Sequence, residues 1–202
     1  MFAKDYRKLA WSKLTGNWGV AIVVYLLYAV IVGISSSVGV GPILLAGLLG
    51  VGLMGVYLDM IRGNQGKIEG LFDGFRFGTV NNLLAGVLVG IFTLLWSLLF
   101  VIPGIVKTYS YAMTYFILKD NPEMSATDAI TESRKMMDGN KWRLFCLDFS
   151  FIGWILLSIL TCGILIFVVE PYILAAHAAF YESIKGAPVE AEATETQESA
   201  EF

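Results

Sequence analysis

The stretch WGVAIVVYLLYAVIVGISSSVGVGPILLAGLLGVGLMGVYL, residues Trp18 to Leu58, runs for 41 positions without one Asp, Glu, Lys or Arg. A bilayer crossing takes roughly 20 apolar residues, so this tract is too long for one crossing and right for two. The spacing predicts a helix from about Gly19 to Ser36, a turn over Ser35–Gly41, and a second helix from about Pro42 to Ile61. Pro42 suits a first helical turn, where its missing N–H costs nothing. Runs such as AIVVYLLYAVIVG do not alternate polar with apolar, so a transmembrane barrel is excluded.

Two further tracts repeat the pattern. Leu83–Leu118 carries only Lys107, and Phe145–Tyr181 carries only Asp148 and Glu170. They predict helices over about 83–101, 105–119, 145–160 and 164–183, with turns at Pro103-Gly104 and Thr161-Cys162-Gly163. The expected fold is all-α: a polytopic membrane protein with six transmembrane helices as three hairpins, spanning about 19–61, 83–119 and 145–184 of a single domain, 1–186. Only 15% of the chain is charged, against about 25% in a soluble domain.

The segment 187–202 holds Glu190, Glu192, Glu195, Glu198 and Glu201 with no base, and reads as an acidic disordered tail. Without it the body has 14 bases against 12 acids. The basic N-terminus precedes an apolar block too long for a removable signal, so it reads as leading into an uncleaved first helix. Cys146 and Cys162 fall at opposite ends of one expected helix, about 24 Å apart, too far for a disulfide.

Two polar segments are expected to be helical and interfacial. Phe2, Tyr6, Leu9 and Ala10 recur at helical spacing over 2–14, with Lys4, Arg7 and Lys8 off that face, as in a helix lying among headgroups. In the loop 120–143, Ser125-x-x-Asp128 opens a capped helix that carries Arg134 and Lys135 and stops at Gly139. Thirteen of the fourteen bases fall on one side of the six-helix arrangement, and Lys107 on the other. The positive-inside rule then puts both termini in the cytoplasm of a multi-pass cell-membrane protein. A threefold repeat can be read in the turns Gly16-Asn17-Trp18, Asp73-Gly74-Phe75 and Asp138-Gly139-Asn140-Lys141-Trp142, each preceding a pair of helices.

Chemistry is sparse. Glu170 lies about 9 Å inside helix 164–183, where a charge must face protein or water. Pro171 frees the Phe167 carbonyl, and His177 and Tyr181 extend the stripe. Glu170, Pro171, His177 and Lys107 therefore form the candidate intramembrane polar site, either as a proton or substrate path or as a structural Lys107–Glu170 pair. Asp148 is expected to meet Lys141 or Arg143. Gly86-x-x-x-Gly90 and Ala46-x-x-x-Gly50 are small faces for close helix packing. Gly63-Asn64-Gln65-Gly66-Lys67 lacks the Walker spacing and reads as a surface turn. No catalytic, metal or cofactor motif is found, so a non-enzymatic role is expected, with membrane lipids, a membrane-protein partner or a second copy as partners and no nucleic acid.

The motifs LTGNWG, RGNQGKIEGLFDGF, IPGIVKTYSYAMTYFILKDNPEMSATDAITESRKMMDGNKWRLFCLDFSFIGW and LTCGILIFVVEPYILAAHAAFYE together resemble the bacterial integral-membrane family known as domain of unknown function 975. The resemblance implies a Gram-positive membrane protein without an established activity. The chain is also distantly similar to the membrane domain of some glycerophosphodiester phosphodiesterases, but it lacks their catalytic domain. The leading expectation is a protein that organises lipids or partners at the cytoplasmic leaflet. The alternative is a small transporter or channel with a polar path at Glu170 and His177.

Overall fold

The computed structural model describes residues 3–35, 41–99, 101–161 and 163–185, with side chains at 41–44, 99, 101 and 102 left aside. The expected acidic tail, the turn at 36–40, Phe2 and Cys162 lie outside the described residues. Among the described residues eleven α-helices follow in order: α1 (Ala3–Leu14), α2 (Trp18–Ser35), α3 (Gly41–Ile61), α4 (Asp73–Arg76), α5 (Thr79–Leu99), α6 (Val101–Tyr111), α7 (Thr114–Asp120), α8 (Ala126–Met136), α9 (Lys141–Phe149), α10 (Ile152–Leu160) and α11 (Ile166–Ile184). A short 3-10 turn, Ile68–Phe72, precedes α4. No strand occurs among the described residues.

Three stretches are long and apolar enough to cross a membrane: Trp18–Ser35, Thr79–Leu98 and Lys141–Leu160. Only 11%, 17% and 22% of them is buried. Their outward side chains include Leu98, 82% exposed, and Leu160, 80% exposed. A contiguous apolar surface of this kind marks a membrane protein.

The core is built differently. From Leu48 to Ile61, α3 is buried on nearly all sides, and Tyr172 to Tyr181 of α11 is almost as enclosed. Around α3 pack α1, α2, α5, α7, α11 and the 3-10 turn. Glycine permits this crowding. A Cβ on Gly47 would meet the Asn82 carbonyl oxygen at 2.0 Å, and one on Gly86 would meet the Gly47 nitrogen at 2.5 Å. Of the two small faces expected from the sequence, Gly86 of α5 does meet α3, but most closely at Gly47 and not at the Ala46-x-x-x-Gly50 pair, whose Gly50 faces the Tyr115 ring of α7. Asn82 ties the start of α5 to α4 by donating to Gly74 O at 2.9 Å and Phe77 O at 2.7 Å.

Several boundaries differ from expectation. The helix expected over 105–119 breaks at Ala112-Met113 into α6 and α7. The helix expected to begin at 145 begins at Lys141, with an irregular step at Ser150-Phe151. In the repeat, Gly16 and Gly139 turn the chain at φ 94° and 76°, but Gly74 lies inside α4 and the corresponding turn is made by Gly78 at φ 61°. α1 does not lie apolar face down on lipid. Tyr6, Ala10 and Leu14 are fully buried against protein, chiefly α11.

Candidate functional site: a polar cluster and a basic cleft

The intramembrane residues expected to act together divide into separate groups. His177 Nε2 lies 2.5 Å from Asp148 Oδ1, and Tyr109 donates to the other Asp148 oxygen at 3.0 Å. Asp148 therefore joins α6, α9 and α11, and does not take Lys141 or Arg143 as expected. Lys141 lines a separate cleft, and Arg143 donates to Asn140 Oδ1 and Tyr6 Oη. Glu170 is half-buried, within electrostatic range of Tyr25, Tyr28 and Tyr57, and of His177 and Asp148. Pro171 is buried and α11 continues through it. Tyr181 leaves the stripe: its ring stacks on Phe116 and its hydroxyl donates to Asp120 at 2.9 Å.

Lys107 does not pair with Glu170; no ion pair joins them among the described residues. Its ammonium lies 4.7 Å from the centre of the Trp96 ring, one helix away on α5. It lines a cleft of about 330 Å³ with Ser110, Thr131, Arg134, Lys135, Asp138 and Lys141. The base that the sequence sets apart from the other thirteen thus sits with three of them. The reason is local. Ser125 accepts the Asp128 N–H at 3.2 Å and starts α8. Eight residues on, the fully buried Ser133 donates to Ser110 O at 2.9 Å and accepts from Met113 N at 3.2 Å. That clamp seats the last turn of α8 on the break between α6 and α7. Gly139 then reverses the chain and returns Lys141 to the same cleft.

A second basic groove, of about 590 Å³, is lined by Lys4, Arg7, Lys8 and Trp11 of α1, with Ser150 and Tyr172. Lys4 and Lys8 are exposed, whereas Arg7 turns inward. Arg7 donates to Ser150 O at 3.1 Å and lies over Phe151 at 5.3 Å. By contrast, the loop Gly63–Lys67 borders a cleft in which Asp59, Glu69 and Asp73 face Lys67 and Arg76. Its balance of charge does not favour an anion, in keeping with a surface turn. No group of three or more His, Cys, Asp or Glu side chains able to hold a metal occurs among the described residues.

Sequence reasoning missed one network. Arg62, just past α3, clasps Asp120 with two bonds of 2.8 Å and donates to Glu182 at 2.9 Å. Lys185 and Tyr181 complete the shell of Asp120. Burial alone would raise the Asp120 pKa, but the bonds from Arg62, Lys185 and Tyr181 outweigh it and hold the carboxyl below its ordinary value. Asp120 in turn raises the pKa of the Arg62 guanidinium. The available signal was position: each partner is among the first charges after an apolar tract.

The family model described as "Protein of unknown function (DUF975)" matches residues 98–188, which run from the end of α5 through α11. No curated protein and no solved structure matches the chain. The matched stretch contains the basic cleft on α6, α8 and α9, together with Asp148, Glu170 and His177.

Proposed function

We propose that the chain is a six-pass protein of the cell membrane with both termini in the cytoplasm, and that it organises anionic lipids of the cytoplasmic leaflet without doing chemistry on them. One observation supports the reading above others: exposed apolar and cationic side chains are carried by different helices. The exposed faces of α2, α5 and α10 are apolar and uncharged, while Lys4 and Lys8 stand on α1, Arg134 and Lys135 on α8, and Lys141 at the start of α9. Basic side chains beside a hydrocarbon-facing belt attract anionic headgroups, at about 1 kcal/mol for each base near the surface. Lys107 lines one cleft with Arg134, Lys135 and Lys141, which supports a positive-inside arrangement. In this reading α2–α3, α5–α7 and α9–α11 form three hairpins, and a second copy or a membrane-protein partner covers part of the remaining apolar surface.

Lipid analysis of the protein extracted in a mild detergent tests the proposal. Anionic phospholipid should be enriched over zwitterionic phospholipid relative to the host membrane, and removal of residues 125–138 should abolish the enrichment while the protein still inserts. A lipid complement matching the host membrane would reject it.

A second reading rests on Glu170, a carboxylate in an apolar helix with no ion-pair partner among the described residues. As a transporter, the protein would move protons or a small substrate past Glu170 and His177. Glu170→Gln would then abolish flux in proteoliposomes while leaving folding intact; unchanged flux removes this reading.

A further inference from the structure

We propose that the cleft between α6, α8 and the start of α9 is a binding site for a phosphate-bearing anion, and specifically for the headgroup of an anionic phospholipid. This deepens the lipid-organising reading and rests on it for the source of the phosphate, though not for the existence of the site.

The argument begins with Lys107. It is half-buried and stands in a 36-residue tract with no other charge. Among the described residues its ammonium meets the face of Trp96 and no carboxylate. A cation over a ring gains about 0.5–2 kcal/mol, which leaves an ammonium withdrawn from water incompletely compensated. If packing were its role, an apolar side chain would serve better at this position.

The surroundings say what would compensate it. Arg134 and Lys141 have no carboxylate partner among the described residues, and Lys135 only meets Glu132 at 3.5 Å on the exposed side of α8. Four bases therefore face one acid, Asp138, across the cleft, with the Thr131 hydroxyl beside them. This contrasts with the Arg62 network, where every base has its acid.

The site is also built. The Ser125 cap, the buried Ser133 clamp and the Gly139 turn each fix one wall. A planar guanidinium with three ammonium groups suits the several oxygens of a phosphate. Its volume of about 330 Å³ holds a headgroup but not acyl chains, which would lie on the neighbouring apolar surface. There, Ile105 and Val106 of α6 and Phe145 of α9 are exposed.

The full chain, purified free of lipid in a non-ionic detergent, is titrated with short-chain phosphatidylglycerol, phosphatidylcholine and soluble glycerol 3-phosphate, and binding is followed by native mass spectrometry. Phosphatidylglycerol should bind more tightly than phosphatidylcholine. The double variant Lys107→Gln/Arg134→Gln should weaken it roughly thirtyfold. Lys67→Gln/Arg76→Gln, on the mixed-charge cleft beside the Gly63–Lys67 loop, should change it less than about threefold, and Lys107→Arg should retain binding. Unchanged melting temperature of the Lys107→Gln/Arg134→Gln protein excludes misfolding; if it falls, Lys107→Arg against Lys107→Gln decides the matter. Equal loss in both double variants, or equal affinity for phosphatidylcholine, would overturn the site. Glycerol 3-phosphate binding as tightly as the lipid, and sensitive to the Lys107 pair, would uphold the phosphate site and reject the lipid as its source, and with it the lipid-organising function.

Discussion

His177 Nε2 sits 2.5 Å from Asp148 Oδ1, joining α11 to α9 across 29 residues of sequence, with Tyr109 of α6 closing the group on the other carboxylate oxygen. A histidine and an aspartate in one network should be energetically coupled. A double-mutant cycle with His177→Gln and Asp148→Asn, read by thermal unfolding in detergent, should give about 1–2 kcal/mol of coupling. Additive single variants would mean that the contact contributes nothing to stability.

The Asp120 network predicts an acid-sensitive fold. Its carboxyl titrates near 3.9 in an unfolded chain, and in the folded protein it is held lower by Arg62, Lys185 and Tyr181 against the opposing effect of burial. Its stabilisation is therefore complete above the unfolded value and is lost as pH falls through the depressed one. Asp120→Asn should cost about 2–4 kcal/mol at neutral pH, because the Asp120 side chain is only 9% exposed and Arg62 would lose its bidentate partner. The variant should also show a flatter acid limb in melting temperature against pH.

Close approach of α3 and α5 gives a steric prediction. Gly86→Ala places a methyl group 2.6 Å from the Gly47 Cα, among backbone atoms that cannot rotate away. It should destabilise by roughly 2 kcal/mol or more. Gly33→Ala, with no atom within 4 Å of its new Cβ, should be neutral or stabilising. Melting temperatures of the two variants, side by side, check the contrast.

Ser133 links stability to the basic cleft. Ser133→Ala removes the bridge to Ser110 O and Met113 N in a site with no exposure. The cost should be about 1–3 kcal/mol. Hydrogen exchange should accelerate in α8 before it does so in α3. No difference between the two helices would show that α8 is held by its other contacts.

The sequence made the helical framework legible because lipid leaves so few alternatives. The uncharged tract around Tyr25 and the one around Phe92 could only be helices, and the Ser125 cap announced α8. The burial of α3 and α11 was less visible, since Leu and Gly look alike facing lipid or facing protein. Lys107 was legible only in part. Counting residues from Pro103 sets it apart from the other bases, but the fold of α8 brings Arg134, Lys135 and Lys141 to the cleft that it lines. Partners such as Arg62 and Glu182 were unreadable, because nothing local couples charges 120 positions apart.

That separation has a consequence for how the protein is made. Arg62 emerges from the ribosome 58 residues before Asp120 and 120 before Glu182. At about 5–20 residues per second, its second carboxylate is roughly 6–24 s away. Through that interval the early helices wait in the membrane without their final clasp. A prematurely terminated chain lacking α11 would be an orphan for quality-control proteases, not a smaller working protein.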